Sequence, residues 1–462
     1  MDEEKQTVDQ RDQNKMGILP VKKLIISMSL PMMVSMLVQA LYNIVDSIFV
    51  SRISEDALAA VTYAFPVQNL MLAVGAGTGV GINALLSRSL GQRNYKKSDA
   101  AANTGLLLAF CSALIFVLVA FFGVKGFMTT QTKDPEILRD GMNYLRVVCG
   151  WSFGIFFQIT FERLLQATGR TVLSMISQMT GAIVNTVLDP ILIFGLLGAP
   201  KLGVTGAALA TVIGQTVAAC VGLTLNLKKN TDIHYSLKGI FKPKLEVVKA
   251  IYGVGFPSIL MMSIGSLMNY LLNQILNTFS STAVAVFGVY FKLQSFFFMP
   301  VFGLNNGLIP VLSYNYGARK KERIDEALSF ALRIAFYIML LGSIVFELIP
   351  GPLLTIFQAS GHMKEIGIPA LRIIGVHFPI AALCIVLGSV FQAFAKSTYS
   401  LFVSLGRQLV VLIPAAYLLS LSGNLKLVWL AFPIAEVTSF CLSYYYYKKV
   451  RKEVIDPLAK SK

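Results

Sequence analysis

The sequence predicts an all-α membrane protein with twelve transmembrane helices arranged as two similar halves. Three observations support this: an apolar composition, long apolar stretches along the whole chain, and an internal repeat. Hydrophobic residues make up 55% of the 462 residues and charged residues 14%, whereas soluble domains carry roughly 25% charged residues. This composition excludes a disordered protein, a secreted disulfide scaffold and an ordinary soluble enzyme.

Twelve stretches are long and apolar enough to cross a bilayer, which takes roughly 20 residues of helix. Several contain Gly or Pro, which membrane helices tolerate better than soluble helices do. In chain order, spans 1 to 12 are predicted at about 24–50, 57–86, 100–124, 141–162, 171–198, 204–226, 248–276, 283–312, 327–349, 369–394, 398–420 and 427–447.

The net charge of +16 has a distribution that predicts topology. Lys and Arg concentrate in the two tails and in every second loop, so the positive-inside rule places both termini in the cytoplasm of a cell (inner or plasma) membrane protein. We expect these charges to contact lipid headgroups rather than nucleic acid. The first apolar run is too long for a cleavable signal peptide. The predicted regions are a cytoplasmic tail (1–23), an N-lobe of spans 1–6 (24–226), a cytoplasmic linker (227–247), a C-lobe of spans 7–12 (248–447) and a cytoplasmic tail (448–462).

The chain resembles itself at a shift of 226 residues. Pro31 matches Pro257, and one shift without gaps aligns several further pairs. These include Gly77 and Gly81 with Gly303 and Gly307, and Ser87, Gly91, Arg93 and Asp99 with Ser313, Gly317, Arg319 and Asp325. The repeat is six spans long, so both halves enter the membrane in the same orientation. This predicts two lobes related by a pseudo-two-fold axis along the membrane normal, with a cavity between them, which is typical of transporters.

Other motifs do not indicate a cofactor. The glycines between Gly75 and Gly81 lie inside an apolar span with no preceding strand, so they favour close helix packing over phosphate binding. The cysteines are interpreted as small buried apolar residues, and the histidines lack zinc-ligand spacing. These residues are Cys111, Cys149, Cys220, Cys384, Cys441, His234, His362 and His377.

Ionisable residues inside spans are costly and so indicate function. Five acids fall in or near the spans: Asp46, Glu162, Asp189, Glu347 and Glu436. Glu162 and Glu347 lie near span ends, where they can reach the interface or form a local ion pair. Glu436 lies deeper and has no obvious partner in the sequence, so its role stays open between structure and function.

Asp46 and Asp189 both fall in the outer half of the first six spans and belong to polar helix faces. Residues on such a face recur at i, i+4, i+7 and i+11. The face on span 1 consists of Ser35, Gln39, Tyr42 and Asp46; that on span 5, of Gln178, Asn185 and Asp189; and that on span 6, of Thr211 and Gln215. Three helices are therefore predicted to direct polar groups to one buried point.

Two carboxylates at such a point cannot both stay charged and without a counter-ion. They must share a proton or bind a cation, and the oxygen ligands suit a hard ion such as Na⁺. The alternative is a polar network that only holds the three helices together. The second half lacks an equivalent acid pair, since the repeat maps Asp46 to Leu272 and Asp189 to Ala415. It offers amides and a lysine instead: Asn269, Asn273, Asn305, Asn306 and Lys292.

Several passages resemble the multidrug and toxic compound extrusion (MATE) family over nearly the whole chain. They are SLPMM and LYNIVDSIFV, GAGTGVGINALLSRSLGQRN, FERLLQATGRT, NTVLDPILIF, GVTGAALAT, PVFGLNNGLIPVLSYNYGAR and LAFPIAE. The resemblance implies two six-helix lobes in a V shape and export of organic cations in exchange for H⁺ or Na⁺.

The resemblance is to the DinF-like branch of that family. In that branch the residues matching Asp46, Asn185, Asp189 and Thr211 line the N-lobe cavity, and the residue matching Pro31 lets the first helix bend. The NorM-like branch keeps acids on its seventh and tenth helices. Spans 7 and 10 of this chain contain none, so a C-lobe cation site of that type is not expected.

The sequence thus predicts an antiporter that exports lipophilic organic cations, and not an enzyme. Asp46, Asn185, Asp189, Thr211 and Tyr42 are the predicted ion-coupling residues, four of which (without Tyr42) could also hold Na⁺. Gln39 and Gln178, with the two aspartates, are the predicted substrate contacts. The predicted partners are small organic cations and membrane lipids, with no obligate protein partner. The alternative is a flippase for a lipid-linked oligosaccharide or related lipid, which the basic Lys292 and Arg407 keep open.

Overall fold

The computed structural model describes residues 14–357 and 359–460, and within these ranges regular secondary structure is entirely helical. Ten helices are long and apolar enough to cross a membrane, and two bent helix pairs raise the total to 12. The predicted twelve-span, all-α fold class is confirmed. Residues 1–13 of the predicted N-terminal tail and residues 461 and 462 of the C-terminal tail lie outside the described residues.

Each predicted span overlaps a helix or a bent pair. Eight spans begin as single α-helices: Val21–Ser51 (span 1), Glu55–Gly91 (span 2), Tyr95–Leu118 (span 3), Thr171–Phe194 (span 5), Val204–Lys229 (span 6), Leu245–Asn277 (span 7), Ser281–Gly317 (span 8) and Lys321–Leu348 (span 9). Span 11 comprises Ser397–Leu405, a π-helical segment Gly406–Leu412 and Ile413–Ser420, and span 12 comprises Ala431–Val450.

Spans 4 and 10 each consist of two helices with a bend between them, a feature that the apolar pattern does not predict. Span 4 consists of Pro135–Gly150 and Phe153–Ala167, bent by 46°. Span 10 consists of Gly361–Gly375 and Phe378–Ala393, bent by 50°. A proline near the start of the second helix of span 10 removes a backbone donor there. In span 4 the helix ends at Trp151, whose ψ of 28° leaves the α-helical region.

The chain divides into two compact units. The first unit consists of Met1–Ile18 and Val34–Ile259, and the second of Leu19–Met33 and Leu260–Lys462. The chain therefore passes from one unit to the other two residues after Pro31, and again two residues after Pro257. The predicted lobes followed the order of the spans. In the structure, the first half of span 1 is grouped with the second unit, and the first half of span 7 is grouped with the first unit.

In the first unit, Gly77 and Gly81 of span 2 lie against the first half of span 7. A Cβ atom added to Gly81 would lie 2.1 Å from the carbonyl oxygen of Ile251, and one added to Gly77 would lie 2.5 Å from Cγ1 of Ile259. Glycine is required because the backbones approach too closely for any side chain. This confirms the packing interpretation of the glycine-rich stretch.

The second unit repeats this contact with the equivalent residues. A Cβ atom on Gly303 would lie 2.5 Å from the Cα atom of Met33, and one on Gly307 would lie 2.7 Å from the Cα atom of Ser29. The Ser29 hydroxyl also donates to the carbonyl oxygen of Leu304, at 3.2 Å. Equivalent glycine pairs thus pack against the first half of span 7 in the first unit and the first half of span 1 in the second unit.

Two further details confirm the internal repeat. The Ser87 hydroxyl donates to the carbonyl oxygen of Ala167 at 2.9 Å, and its counterpart Ser313 donates to that of Ala393 at 3.1 Å. Arg93 and Arg319 end spans 2 and 8 with the same positive φ of 57°. A left-handed residue after a helix is a common C-terminal cap.

The linker after span 6 packs against the first unit. Arg170 forms an ion pair with the buried carboxylate of Asp232, and the backbone N–H of His234 donates to Asp99 at 2.9 Å. A short helix, Leu237–Phe241, precedes span 7. The predicted linker is therefore packed against loops of the first unit.

The cysteine prediction was only partly right. All five cysteines are free thiols, and Cys149 and Cys384 are buried. Cys111, Cys220 and Cys441 are exposed on the outside of their spans. In a membrane protein such positions can face lipid, which is as apolar as a protein core.

Candidate functional site

Asp46 and Asp189 are neighbours in the first unit. Asp189 lies on span 5 with no exposed surface, and Asp46 lies on span 1, half-buried. The two carboxyl groups interact with each other across the helix interface. Neither oxygen of Asp189 makes a hydrogen bond of ordinary geometry with any described residue. The predicted convergence of the two acids is therefore present in the fold.

The other predicted ion-coupling residues surround this pair. Asn185, one helical turn before Asp189, donates from Nδ2 to Oγ1 of Thr211 on span 6, at 3.1 Å. Both residues are 3% exposed. Tyr42, one turn before Asp46, interacts with the Thr211 side chain and with both acids. Spans 1, 5 and 6 thus bring all five predicted residues together.

Two residues at this site escaped the sequence analysis. The Tyr144 side chain on the first helix of span 4 is 2% exposed and interacts with Asp46, Tyr42 and Asp189. Its hydroxyl also lies 3.4 Å from Oε1 of Gln68 on span 2. Gln68 could have been suspected, since it is a polar residue within an apolar span. Tyr144 gave no such signal.

The site contains four buried oxygen atoms without a hydrogen-bond donor among the described residues. These are Oδ1 of Asp46, Oδ1 of Asn185 and both carboxylate oxygens of Asp189. Buried polar atoms are nearly always partnered in native proteins, by protein groups or ordered water, so this cluster can accept a proton, a cation or a water molecule. The donor set consists of carboxylate and amide oxygens, which hard cations prefer. No group of three His, Cys, Asp or Glu side chains that could hold a metal ion occurs in the described ranges.

Gln39 and Gln178 form a second polar contact between spans 1 and 5. Nε2 of Gln178 donates to Oε1 of Gln39 at 3.1 Å, and both side chains are half-buried. Gln39 lies about two turns before Asp46 and Gln178 about three turns before Asp189, on the same helix faces, as the spacing predicted. The structure places them beside each other; their contact with substrate stays a prediction.

Pro31 lies inside the span 1 helix. It belongs to the part of that helix grouped with the second unit, whereas Asp46 belongs to the first unit. Proline cannot donate the helical hydrogen bond at its position, so Pro31 gives no helical hydrogen bond to the carbonyl oxygen of Ser27, one turn earlier, and span 1 is weakened at Pro31. The role of Pro31 as a hinge stays a prediction.

The remaining acids have individual partners. Glu162 is 7% exposed and accepts a hydrogen bond from Gln158 at 2.9 Å, and Glu347 lies 4.0 Å from Arg372 on the surface. Glu436, which had no obvious partner in the sequence, is 3% exposed and forms a 3.3 Å ion pair with Arg407 on span 11. The partner was hidden because it lies 29 residues away on another helix.

Comparison with known proteins identifies the family. The sequence profile of the MatE family matches residues 31–191 and 257–418. The two matches begin at Pro31 and Pro257, so they reproduce the 226-residue repeat. The chain belongs to the MATE family.

Individual relatives agree over most of the chain. The multidrug export protein MepA of Staphylococcus aureus (strain NCTC 8325) is 30% identical over 331 residues, which cover 71% of this chain and 72% of MepA. An FAD transporter of Shewanella oneidensis is 26% identical over 453 residues, which cover 96% of this chain and 98% of the transporter. A solved outward-facing structure of a multidrug resistance MATE family transporter superimposes with a TM-score of 0.90 at 28% identity, covering 97% of this chain and 99% of that one.

These matches confirm the resemblance seen in the sequence and the MATE fold. The protein is a multi-pass membrane transporter of this family. The acid pair of the first unit therefore lies in a transporter, where intramembrane ionisable groups mark ion and substrate pathways.

Proposed function

We propose that this MATE protein is a secondary active exporter of lipophilic organic cations, driven by the inward movement of H⁺ or Na⁺. The observation that carries the proposal is the neighbouring acid pair Asp46 and Asp189, with its four donorless buried oxygens. The similarity to MepA, a multidrug export protein, supports drugs as the cargo.

Asp46 and Asp189 act as the coupling acids. Two neighbouring carboxylates repel each other, so the pair favours any state in which a proton or a cation neutralises it. Asn185 and Thr211 add neutral oxygen atoms at the same point, and Tyr42 and Tyr144 fix the position of the acids. An H⁺ or Na⁺ entering from outside and a cationic drug from inside thus compete for one negative site.

Neutralisation of Asp46 changes the shape of span 1. A proton or cation at Asp46 removes its repulsion with Asp189 on span 5, which lets span 1 bend at Pro31 and reduces the space for drug. Gln39 and Gln178 contribute polar surface to the drug path. Each coupling event then moves one substrate outward for the ion that moves inward.

The protein is proposed to reside in the cell (inner or plasma) membrane with both termini in the cytoplasm. The concentration of Lys and Arg in the tails and alternate loops supports this orientation. Membrane lipids are the expected surroundings of its exposed apolar spans.

Efflux of ethidium from cells that express the protein tests this function. Asp46→Asn and Asp189→Asn should abolish efflux while the variants still insert in the membrane. Asp56→Asn, which changes an exposed acid at the start of span 2, is the matched control and should export normally. Undiminished efflux by Asp46→Asn would refute the coupling role.

A further inference from the structure

The second unit contains a buried charge pair that the coupling site does not use. Arg407 lies on span 11 and Glu436 on span 12, with Nη1 of Arg407 3.3 Å from Oε2 of Glu436. The Glu436 side chain is 3% exposed, whereas 29% of the Arg407 side chain is accessible. The Arg407 side chain is therefore partly accessible, unlike its partner.

Arg407 lies near the middle of its span. Ser397–Ser420 has 24 residues, and Arg407 comes ten residues after its start, or about 15 Å along the helix. A cation at this depth is strongly disfavoured against lipid and almost always faces the protein interior or a water-filled cavity. The accessible part of the Arg407 side chain is therefore expected to meet water or solutes rather than lipid.

The backbone at Arg407 is specialised. Residues Gly406–Leu412 form a π-helical segment within span 11. Such segments are rare and occur frequently at functional sites, since the wider turn re-aims side chains.

The charge pair is also incompletely satisfied. Oε1 of Glu436 and Nδ1 of His377, both buried, have no hydrogen-bond partner among the described residues. Only Nη1 of Arg407 contacts Glu436, so most of its five donors have no partner in the described part of the chain. An arginine fork with open donors is suited to a planar carboxylate or a phosphate.

The surroundings are aromatic. Glu436 and Arg407 interact with His377 and Tyr290, and the rings of Tyr290, Phe287 and Phe432 pack on one another at 5.8 to 6.0 Å between centroids. Apolar walls strengthen charge–charge attraction because they exclude water. A ligand anion would therefore be held more tightly here than on an exposed surface.

From this arrangement we infer that Arg407 forms a recognition site for a carboxylate or phosphate group of the transported molecule, with Glu436 as the internal group that competes for the same guanidinium. The inference deepens the proposed export function, on which it rests, by adding substrates that carry an acidic group.

Two dyes that differ only in the acidic group test the inference. Tetramethylrhodamine methyl ester is a cation without a free acid, and tetramethylrhodamine is the same dye with a carboxylate. Fluorescence anisotropy gives the Kd of each for the purified full chain in detergent. Because Arg407→Gln alone would leave Glu436 buried without a cation, the double variant R407Q/E436Q is the main test.

The double variant should bind the free acid at least about tenfold more weakly, the loss expected for a hydrogen bond between charged groups, and the ester within about twofold of wild type. Glu436→Gln alone should bind the acid more tightly, since the competing carboxylate is gone. Arg372→Gln, at a surface ion pair, is the control and should change neither Kd.

Equal effects of R407Q/E436Q on acid and ester, or no binding of the acid by wild type, would overturn the inference. Failure of the proposed export function is read separately, as absence of gradient-driven transport of the ester by wild type. The Kd comparison remains decisive for Arg407 in that case.

Discussion

Asn185 on span 5 donates a hydrogen bond to Thr211 on span 6, 3.1 Å from Nδ2 to Oγ1, one helical turn from the buried carboxyl group of Asp189. The Thr211 hydroxyl in turn donates to the carbonyl oxygen of Ala207, at 3.0 Å. This arrangement uses one of the two N–H donors of Asn185 and leaves its Oδ1 atom as an acceptor. The hydrogen bond therefore fixes the amide so that a neutral oxygen stands near the two acids.

Thr211→Val should destabilise the protein by about 1–3 kcal/mol, because it leaves the buried Asn185 amide without its acceptor. Thermal unfolding of the purified protein measures this. Thr224→Val removes a hydroxyl that bonds only a carbonyl of its own helix, at 2.8 Å on an exposed surface. This control should leave the free energy of unfolding nearly unchanged; equal losses in both variants would show that the Asn185 contact contributes nothing.

Asp189→Asn should leave stability unchanged or raise it, although it abolishes transport. The Asp189 carboxyl group is fully buried and lacks a donor among the described residues, and a buried charge without a partner costs free energy. Removing that charge therefore relieves the folded state. Measured on the same variant, the thermal unfolding temperature should equal or exceed that of wild type, whereas dye efflux should be lost. A large drop in stability would instead favour the alternative in which the polar network only clamps the helices.

Gly81→Ala should destabilise the first unit by about 3 kcal/mol or more, since the new methyl group would overlap the backbone of span 7. The yield and the thermal unfolding of the purified variant report this. Gly253→Ala is the matched control, because a Cβ atom at this glycine of span 7 would meet no other atom within 4 Å. It should stabilise the helix by about 0.5–1 kcal/mol. Normal folding of Gly81→Ala would contradict the close contact between spans 2 and 7.

Arg170→Gln should cost about 3–5 kcal/mol, because it leaves the buried Asp232 carboxylate without its cation. Arg170 also donates to the Lys229 carbonyl oxygen at 2.7 Å and to Thr231 at 3.2 Å, so it fixes the linker to the loop before span 5. The double variant R170Q/D232N should recover part of the loss. Arg139→Gln, at the exposed pair with Asp140, should cost less than about 1 kcal/mol. Equal losses of unfolding free energy in Arg170→Gln and Arg139→Gln would contradict a structural role for the linker contact.

The twelve spans were predictable because a bilayer demands about 20 apolar residues for each crossing. The acid site was predictable because helical spacing puts Tyr42 and Asp46, and Asn185 and Asp189, on common faces at similar depth. The breaks within spans 4 and 10 were not predictable, because the sequence stays apolar across each break. A hydropathy pattern indicates how long a span is and how deep its residues lie in the membrane. It does not indicate whether the helix changes direction within the span.

Contacts between spans that are distant in the sequence could not be predicted either. The pairing of Glu436 with Arg407 and the approach of Tyr144 to the acids each depend on which helices are neighbours. The same applies to the placement of residues 19–33 with the second unit. Helical periodicity identifies the face on which a residue lies, whereas tertiary packing decides what that face meets.

Purified protein in liposomes loaded with a fluorescent organic cation, challenged separately with a pH gradient and a Na⁺ gradient, tests the central claim most directly. The account predicts dye movement driven by at least one gradient, lost in Asp46→Asn and retained in Asp56→Asn. Movement driven by one gradient alone would identify the coupling ion. An Asp46→Asn variant that responds like wild type would contradict coupling at Asp46 and Asp189. A folded wild-type protein that responds to neither gradient would contradict the antiporter itself and would favour the lipid flippase.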